Sequence, residues 1–164
     1  MTFNQFFEKF YNGWMVNSIN VCLMDQEILK THKLERANVG AFILMIVYME
    51  SLGKFLADRG DDPLKTYLMR CMGYNVTEAV AIDKARNNTV HHYNGGEYCQ
   101  IVENSSMHRT FRKDRIMIDI NRFAGEFKKS LSVLCSILNN DKNNKLRKRA
   151  CNLIKEKTGS EIKV

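Results

Sequence analysis

Proline is almost absent from this chain of 164 residues: Pro63 is the only one, beside nine glycines. Because proline breaks helices, its scarcity leaves room for long ones. Hydrophobic residues make up 45% of the sequence and charged residues 26%, a composition typical of globular rather than disordered proteins. A chain of this length can bury a core without covalent staples. We therefore expect a single, mostly helical domain over residues 1–164.

Paired cysteines are also missing, since the five cysteines are widely spaced and no CxxC pair occurs: Cys22, Cys71, Cys99, Cys135 and Cys151. This spacing suggests neither a zinc site nor a disulfide framework, and it fits a reducing compartment. The sequence also has no dense carboxylate cluster of the kind that holds two metal ions. We expect no resident metal and no cofactor.

No long hydrophobic run is present. The longest, residues 39–49, has 11 residues, whereas a membrane-spanning helix needs about 20. The first residues lack the basic start and the small-residue cleavage site of a signal peptide. We expect a cytoplasmic protein without a membrane segment.

The formal charge of +7 is concentrated in two segments. Residues 141–164 hold eight Lys and Arg against three Asp and Glu, and residues 108–115 hold four against one. Such clustering indicates either a surface that faces a polyanion or an ordinary solvated face. The basic C-terminal segment is thus a candidate for nucleic-acid contact.

Hydrophobic spacing predicts a first helix over 3–31 and a second over 34–58. The large residues of the first recur at steps of three, four or seven, which favours burial over a base-stacking surface: Phe3, Phe7, Phe10, Trp14, Val21, Met24 and Ile28. The second predicted helix is apolar around much of its circumference. This is typical of the central helix of a bundle or of a helix at a dimer interface. On its polar face, Glu50 either pairs with Lys54 or points toward the motif described below.

Further helices are predicted over 62–72, from Thr77 to the motif, over 120–139, and over the basic residues 144–157. Between the motif and residue 120 the apolar period shortens around a polar, basic middle. We expect a loop over 94–115 with a short hairpin, whose strands are 98–102 and 116–120.

The stretch Arg86-Asn-Asn-Thr-Val-His91-His92-Tyr93 carries the most chemistry. A permanent positive charge close to an imidazole that can exchange a proton suits reactions at a phosphate. Five residues separate Arg86 from His91, so they lie about 140° apart around an ideal helix. If both act on one phosphate, either the helix ends between them or a second copy of the chain completes the site. A structural alternative is that Arg86 and His91 cap carbonyls and pair with an acid such as Asp83.

The spacing Arg-x4-His-x-Tyr, with Asn87 directly after the arginine, resembles the signature of HEPN domains and, within them, of HepT-like toxins. The resemblance covers about eight residues, Arg86 to Tyr93. It implies an all-α bundle of four to five helices, here with a basic C-terminal helix, that pairs as a homodimer. It also implies a metal-independent endoribonuclease in a toxin–antitoxin, defence or stress setting, or a non-catalytic module that binds nucleotide, RNA or protein.

The resemblance assigns a role to each matching residue. His91 would exchange protons with the ribose 2′-hydroxyl and the leaving oxygen, and Arg86 would stabilise charge on the scissile phosphate. Asn87 would orient the imidazole or the phosphate. Tyr93 matches a tyrosine that a partner nucleotidyltransferase modifies to silence the toxin, so RNA and an antitoxin or nucleotidyltransferase are the expected partners. His92 fills the free position next to His91, and spacing alone does not decide which imidazole faces the phosphate.

Overall fold

The structure, a computed structural model, describes residues 1–23, 38–92, 97–103, 106–140, 144–159 and 162. Its helices are α1 (Phe3–Phe7), a π-helical segment (Glu8–Met15), α2 (Val16–Cys22), α3 (Asn38–Gly53), α4 (Pro63–Met72), α5 (Val76–His92), α6 (Ile120–Asn139) and α7 (Asn144–Thr158). Three strands, β1 (Cys99–Val102), β2 (Thr110–Arg112) and β3 (Arg115–Asp119), lie between α5 and α6. None of the helices in these ranges is long and apolar enough to cross a lipid bilayer.

The expectation of a mostly helical protein is confirmed, but the all-α prediction is wrong because the three strands form a sheet in the order β1-β3-β2. β1 runs parallel to β3, with Cys99 opposite Ile116, and β2 runs antiparallel to β3. The predicted strand positions are nearly correct, but those two strands do not form the hairpin. The hairpin is β2–β3, and its turn residues Lys113 and Asp114 both have positive φ angles, 50° and 64°. Such a turn usually contains glycine or asparagine, and neither residue type occupies these two positions.

The first helix differs from its predicted burial pattern. It is continuous from Phe3 to Cys22, and residues 24–31 of the prediction lie outside the described residues. The π-helical segment widens the turn from i→i+4 to i→i+5, which shifts the following side chains around the axis. Besides Phe6, the buried positions therefore recur at steps of four: Phe3, Phe7, Tyr11, Met15 and Ile19. Three residues that we assigned to the core are instead exposed: Phe10, Trp14 and Val21.

The second predicted helix, α3, is the central helix of the bundle, which is one of the two alternatives that its apolar circumference indicated. α3 contacts α2, α4, α5 and α6, and its described part ends at Gly53 rather than at residue 58. At Gly53 the chain passes directly against Pro63, the first residue of α4. Asp62 caps α4 by accepting a hydrogen bond from the Lys65 amide at 2.9 Å. The predicted bounds of α4 are confirmed to within a residue.

The remaining helices follow their predicted bounds closely. Asn75, rather than Thr77, caps α5: its side chain accepts from the Glu78 amide at 2.9 Å, and the Glu78 carboxylate accepts from the Asn75 amide at 2.8 Å. This reciprocal pair resembles a capping box. Side chains from every helix and from β1 and β3 join one continuous apolar core. Within that core the Tyr67 hydroxyl donates to Ser130 Oγ at 2.7 Å, and the Ser130 hydroxyl donates in turn to the Phe127 carbonyl at 2.7 Å.

The close approach at Gly53 predicts that Gly53→Ala destabilises the fold. A Cβ there would overlap the Pro63 carbonyl, and relief of that overlap should lower the free energy of unfolding by about 1–3 kcal/mol. Gly125→Ala is the matched control, because a Cβ at Gly125 in α6 meets no other atom. That change should stabilise the protein by about 0.5–1 kcal/mol. Urea unfolding measures both, and equal effects of the two substitutions would contradict the packing described.

Candidate functional site

Arg86 is held in place by three side chains. It lies on α5 with 21% of its side chain exposed, and Nη1 donates to Glu50 Oε2 on α3 at 2.8 Å. Nη2 lies 3.2 Å from Asp83 Oδ1, one turn earlier on α5. Nε and Nη2 both donate to Asn87 Oδ1, at 3.2 and 3.1 Å. Of the two partners considered for Glu50, Arg86 is therefore the one observed, rather than Lys54.

The charge of this guanidinium is compensated within a network of ion pairs. Lys65 Nζ lies 3.5 Å from Asp83 and 3.8 Å from Asp62, so three carboxylates and two cations form a chain from Glu50 through Arg86, Asp83 and Lys65 to Asp62. The structural alternative that paired Arg86 with Asp83 thus describes a contact that exists. A phosphate at Arg86 would meet a guanidinium whose charge is already compensated, in a fixed orientation.

The rest of the motif lies on the same helix. Asn87 is exposed beside Arg86, the backbone of His91 and His92 completes the last turn of α5, and Tyr93 lies outside the described residues. Because α5 continues through His92, the helix does not end between Arg86 and His91. Within one protomer the two positions are therefore about 140° apart around one axis.

A second polar cluster, which the sequence did not indicate, lies where the β2–β3 hairpin meets α5. Arg109 donates to both carboxylate oxygens of Glu78, at 3.1 and 2.8 Å, and to the Gly73 carbonyl at 2.9 Å. Its guanidinium carbon sits 3.9 Å from the centroid of the Tyr74 ring. Arg109 adopts a left-handed backbone with φ of 61°, so several contacts hold a conformation that is unfavourable for its residue type.

The same cluster extends to α6 through Glu126. Tyr74 donates its hydroxyl to Glu126 Oε2 at 2.7 Å, and His108 Nε2 lies 3.2 Å from Glu126 Oε1. His108 Nδ1 accepts the Asp119 amide at 3.1 Å, which requires that this nitrogen be unprotonated. The cluster ties the hairpin to α5 and α6 from positions far apart in sequence, so no local pattern could have revealed it. Because Arg109 pairs with groups of the fold itself, only three of the four basic residues in 108–115 remain as candidates for contact with a polyanion.

The carboxyl groups of this cluster have depressed pKa values. Burial raises the pKa of Glu78. The hydrogen bonds from Arg109 and from the Asn75 amide lower it by more, so the pKa lies below its ordinary value. Burial likewise raises the pKa of Glu126, and the hydrogen bonds from His108 and Tyr74 more than offset it. Both groups are therefore charged in the folded state near neutral pH.

The cysteines behave as packing residues. All five are free thiols, and burial raises the pKa of Cys71 and of Cys99 to about 12. These two thiols stay protonated at neutral pH and are poor nucleophiles. Within the described ranges, no three or more His, Cys, Asp and Glu side chains are grouped so as to hold a metal ion.

The depressed pKa values predict a loss of stability in acid. A carboxyl group with a lowered folded-state pKa stabilises the fold above its unfolded pKa, about 4.3 for glutamate, and this contribution disappears as the pH falls through the folded value. Glu78→Gln should lower the free energy of unfolding at pH 7 by about 2 kcal/mol and flatten its decline below about pH 4.5. Urea unfolding from pH 7 to pH 3 measures this, with exposed Glu156→Gln on α7 as the control. Parallel pH curves for the parent and Glu78→Gln would contradict the assignment.

Comparison of the chain with models of protein families, with curated proteins and with solved structures finds no match in any of the three.

Proposed function

We propose that this chain is a metal-independent endoribonuclease of the HEPN type that cuts RNA as a homodimer, in a toxin–antitoxin, defence or stress setting. The observation that carries the proposal is the arrangement of Arg86, Asn87 and His91 on one unbroken helix, with the guanidinium fixed and partly exposed. A guanidinium already held in one orientation loses little conformational freedom when it binds a phosphate. This arrangement supports positioning of a phosphate, and the resemblance of the motif supplies the reaction.

The reaction follows from the chemistry of these groups. The His91 imidazole takes the proton of a ribose 2′-hydroxyl, and the 2′ oxygen attacks the adjacent phosphorus. The bond to the 5′ oxygen breaks, that oxygen takes the proton back from the His91 imidazolium, and the products are a 2′,3′-cyclic phosphate and a 5′-hydroxyl. Arg86 stabilises the charge that develops on the phosphate, and Asn87 fixes either the imidazole or the phosphate. Modification of Tyr93 by a partner nucleotidyltransferase would block this site.

The course of α5 supports the proposal of a homodimer. Of the two ways to bring Arg86 and His91 to one phosphate, an end of the helix between them is excluded because α5 runs to His92. The other way is a second copy, whose motif faces the first across a two-fold axis. The site is then composite, with Arg86 from one protomer and His91 from its partner.

A second candidate function is favoured by one observation. Glu50 and Asp83 compensate the charge of Arg86, and Asn87 occupies the Nε and Nη2 hydrogens that a bidentate phosphate would use. A phosphate would have to displace Asn87. This arrangement suits a non-catalytic HEPN-like module, in which the network stabilises the helix pair while another surface binds nucleotide, RNA or protein.

A mixing experiment tests the composite nuclease. Arg86→Ala and His91→Ala should each be inactive on single-stranded RNA in EDTA. If Arg86 and His91 come from different protomers, a mixed dimer of these variants has one intact site and one site with both changes. An equal mixture after subunit exchange contains half mixed dimers, so it should recover about a quarter of the parental rate.

The controls separate the parts of the proposal. Parent protein taken through the same exchange gives the reference rate, and circular dichroism shows that each variant keeps its helices. Full activity of His91→Ala would overturn the nuclease. A mixture as inactive as the single variants, beside an active parent, would place both residues in one protomer and overturn the composite site. An inactive parent that still binds RNA would favour the binding module.

A further inference from the structure

An aromatic groove opens between the π-helical segment, the end of α3 and the end of α7. Its walls include the rings of Phe10, Tyr11, Trp14 and Phe55, and its volume is about 230 Å³. Trp14 is 64% exposed and Phe10 36% exposed. Large aromatic side chains exposed in a concave site are typical of ligand binding rather than of core packing.

The π-helical segment produces this groove. The widened turn keeps Tyr11 and Met15 in the core and leaves Phe10 and Trp14 facing outward. The Phe10 ring stacks on Phe6 with centroids 4.5 Å apart, which fixes its orientation. π-helical turns are rare and frequently occur at functional sites.

The rim of the groove is positively charged. Lys54 and Lys157 line it together with the rings, and among the described residues no Asp or Glu lines it. Across the described part of the chain, neither lysine has a carboxylate within ion-pair distance. Glu50, the residue spaced to pair with Lys54, is bonded to Arg86 instead. Two uncompensated ammonium groups beside aromatic walls select a ligand with a flat apolar body and a negative charge.

We propose that the aromatic groove binds one nucleotide of single-stranded RNA, with its base stacked on Trp14 and Phe10 and its phosphates at Lys54 and Lys157. Base stacking on aromatic side chains combined with lysine contacts is the general mode by which proteins bind single strands. An apolar peptide would leave the two lysine charges of the rim without a partner, and a fatty acid would offer them one carboxylate but no flat ring to stack on the aromatic walls.

The position of the groove relates it to the motif. Lys54 lies in the turn directly after α3, and Glu50, four residues earlier on α3, contacts Arg86. We expect a strand whose phosphate lies at Arg86 to place a nearby base in the groove. This relation to cleavage rests on the proposed function, whereas binding in the groove does not.

The single tryptophan makes the groove directly observable, because Trp14 is the only one in the chain. The probe is a pentamer of deoxyadenylate, which lacks the 2′-hydroxyl and cannot be cut by internal attack. Titration into the full chain should quench the tryptophan fluorescence saturably, and added salt should weaken binding. The double variant Lys54→Ala and Lys157→Ala should bind about tenfold more weakly. Lys148→Ala, an exposed lysine on the same α7, should bind like the parent.

A second variant avoids dependence on charge. Phe10→Ala should also weaken binding about tenfold, whereas Phe111→Ala, an exposed aromatic on β2 outside the groove, should not. Absence of saturable quenching, or quenching unchanged in the lysine and Phe10 variants, would overturn the proposal. Quenching by dodecanoate but not by the pentamer would overturn it in favour of an apolar ligand.

The outcome is independent of the nuclease. If the pentamer does not quench the tryptophan but the protein still cuts RNA in a His91-dependent manner, the groove proposal is overturned and the nuclease proposal stands. If quenching is saturable and depends on the two lysines but no RNA is cut, the groove proposal is supported and the nuclease proposal is overturned.

Discussion

The contact of Arg86 with Glu50 and Asp83 is the interaction on which the account depends. It joins α5 to the central helix α3, and it settles the position of the one cation of the motif whose side chain is described. Two carboxylates around one guanidinium fix its orientation and also compensate its positive charge. This arrangement suits an arginine that must present its remaining N–H donors to a phosphate without moving. It equally suits an arginine that only holds two helices together, so a measurement of ribonuclease activity distinguishes the two roles.

The Arg109 cluster has a structural role, because it holds the β2–β3 hairpin against α5 and α6. Glu78, Tyr74 and Glu126 surround Arg109 at the N-terminal end of α5, and His108 closes the cluster against the start of α6. Each of these side chains makes its polar contacts with another part of the fold. The hairpin thereby fixes the N-terminal half of α5, while α3 fixes the C-terminal half through Arg86. The motif helix is thus anchored at two separate points.

Much of the helical framework could be predicted because single residues mark its ends. Pro63 with Asp62, and Gly73 with a φ of 67°, delimit α4 as the sequence indicates. The strand β2 and the parallel pairing of β1 with β3 were missed, because the β2–β3 hairpin turns at Lys113 and Asp114, which lack the usual turn signature. The exposure of Trp14 was missed because it depends on a π-helical turn, and a stripe counted at 3.6 residues per turn cannot reveal one. Of the predicted site residues, Arg86 and Asn87 are brought together, His91 lies on the same helix, and Tyr93 falls outside the described residues.

The chemical identity of the RNA ends tests the central claim most directly. The account requires attack by the neighbouring 2′-hydroxyl, so ³¹P NMR of products formed in EDTA should show a 2′,3′-cyclic phosphate, and the new downstream fragment should carry a 5′-hydroxyl. A substrate with a single 2′-deoxy position should resist cleavage at that link. Products that carry a 5′-phosphate, or cleavage at the deoxy link, would contradict it.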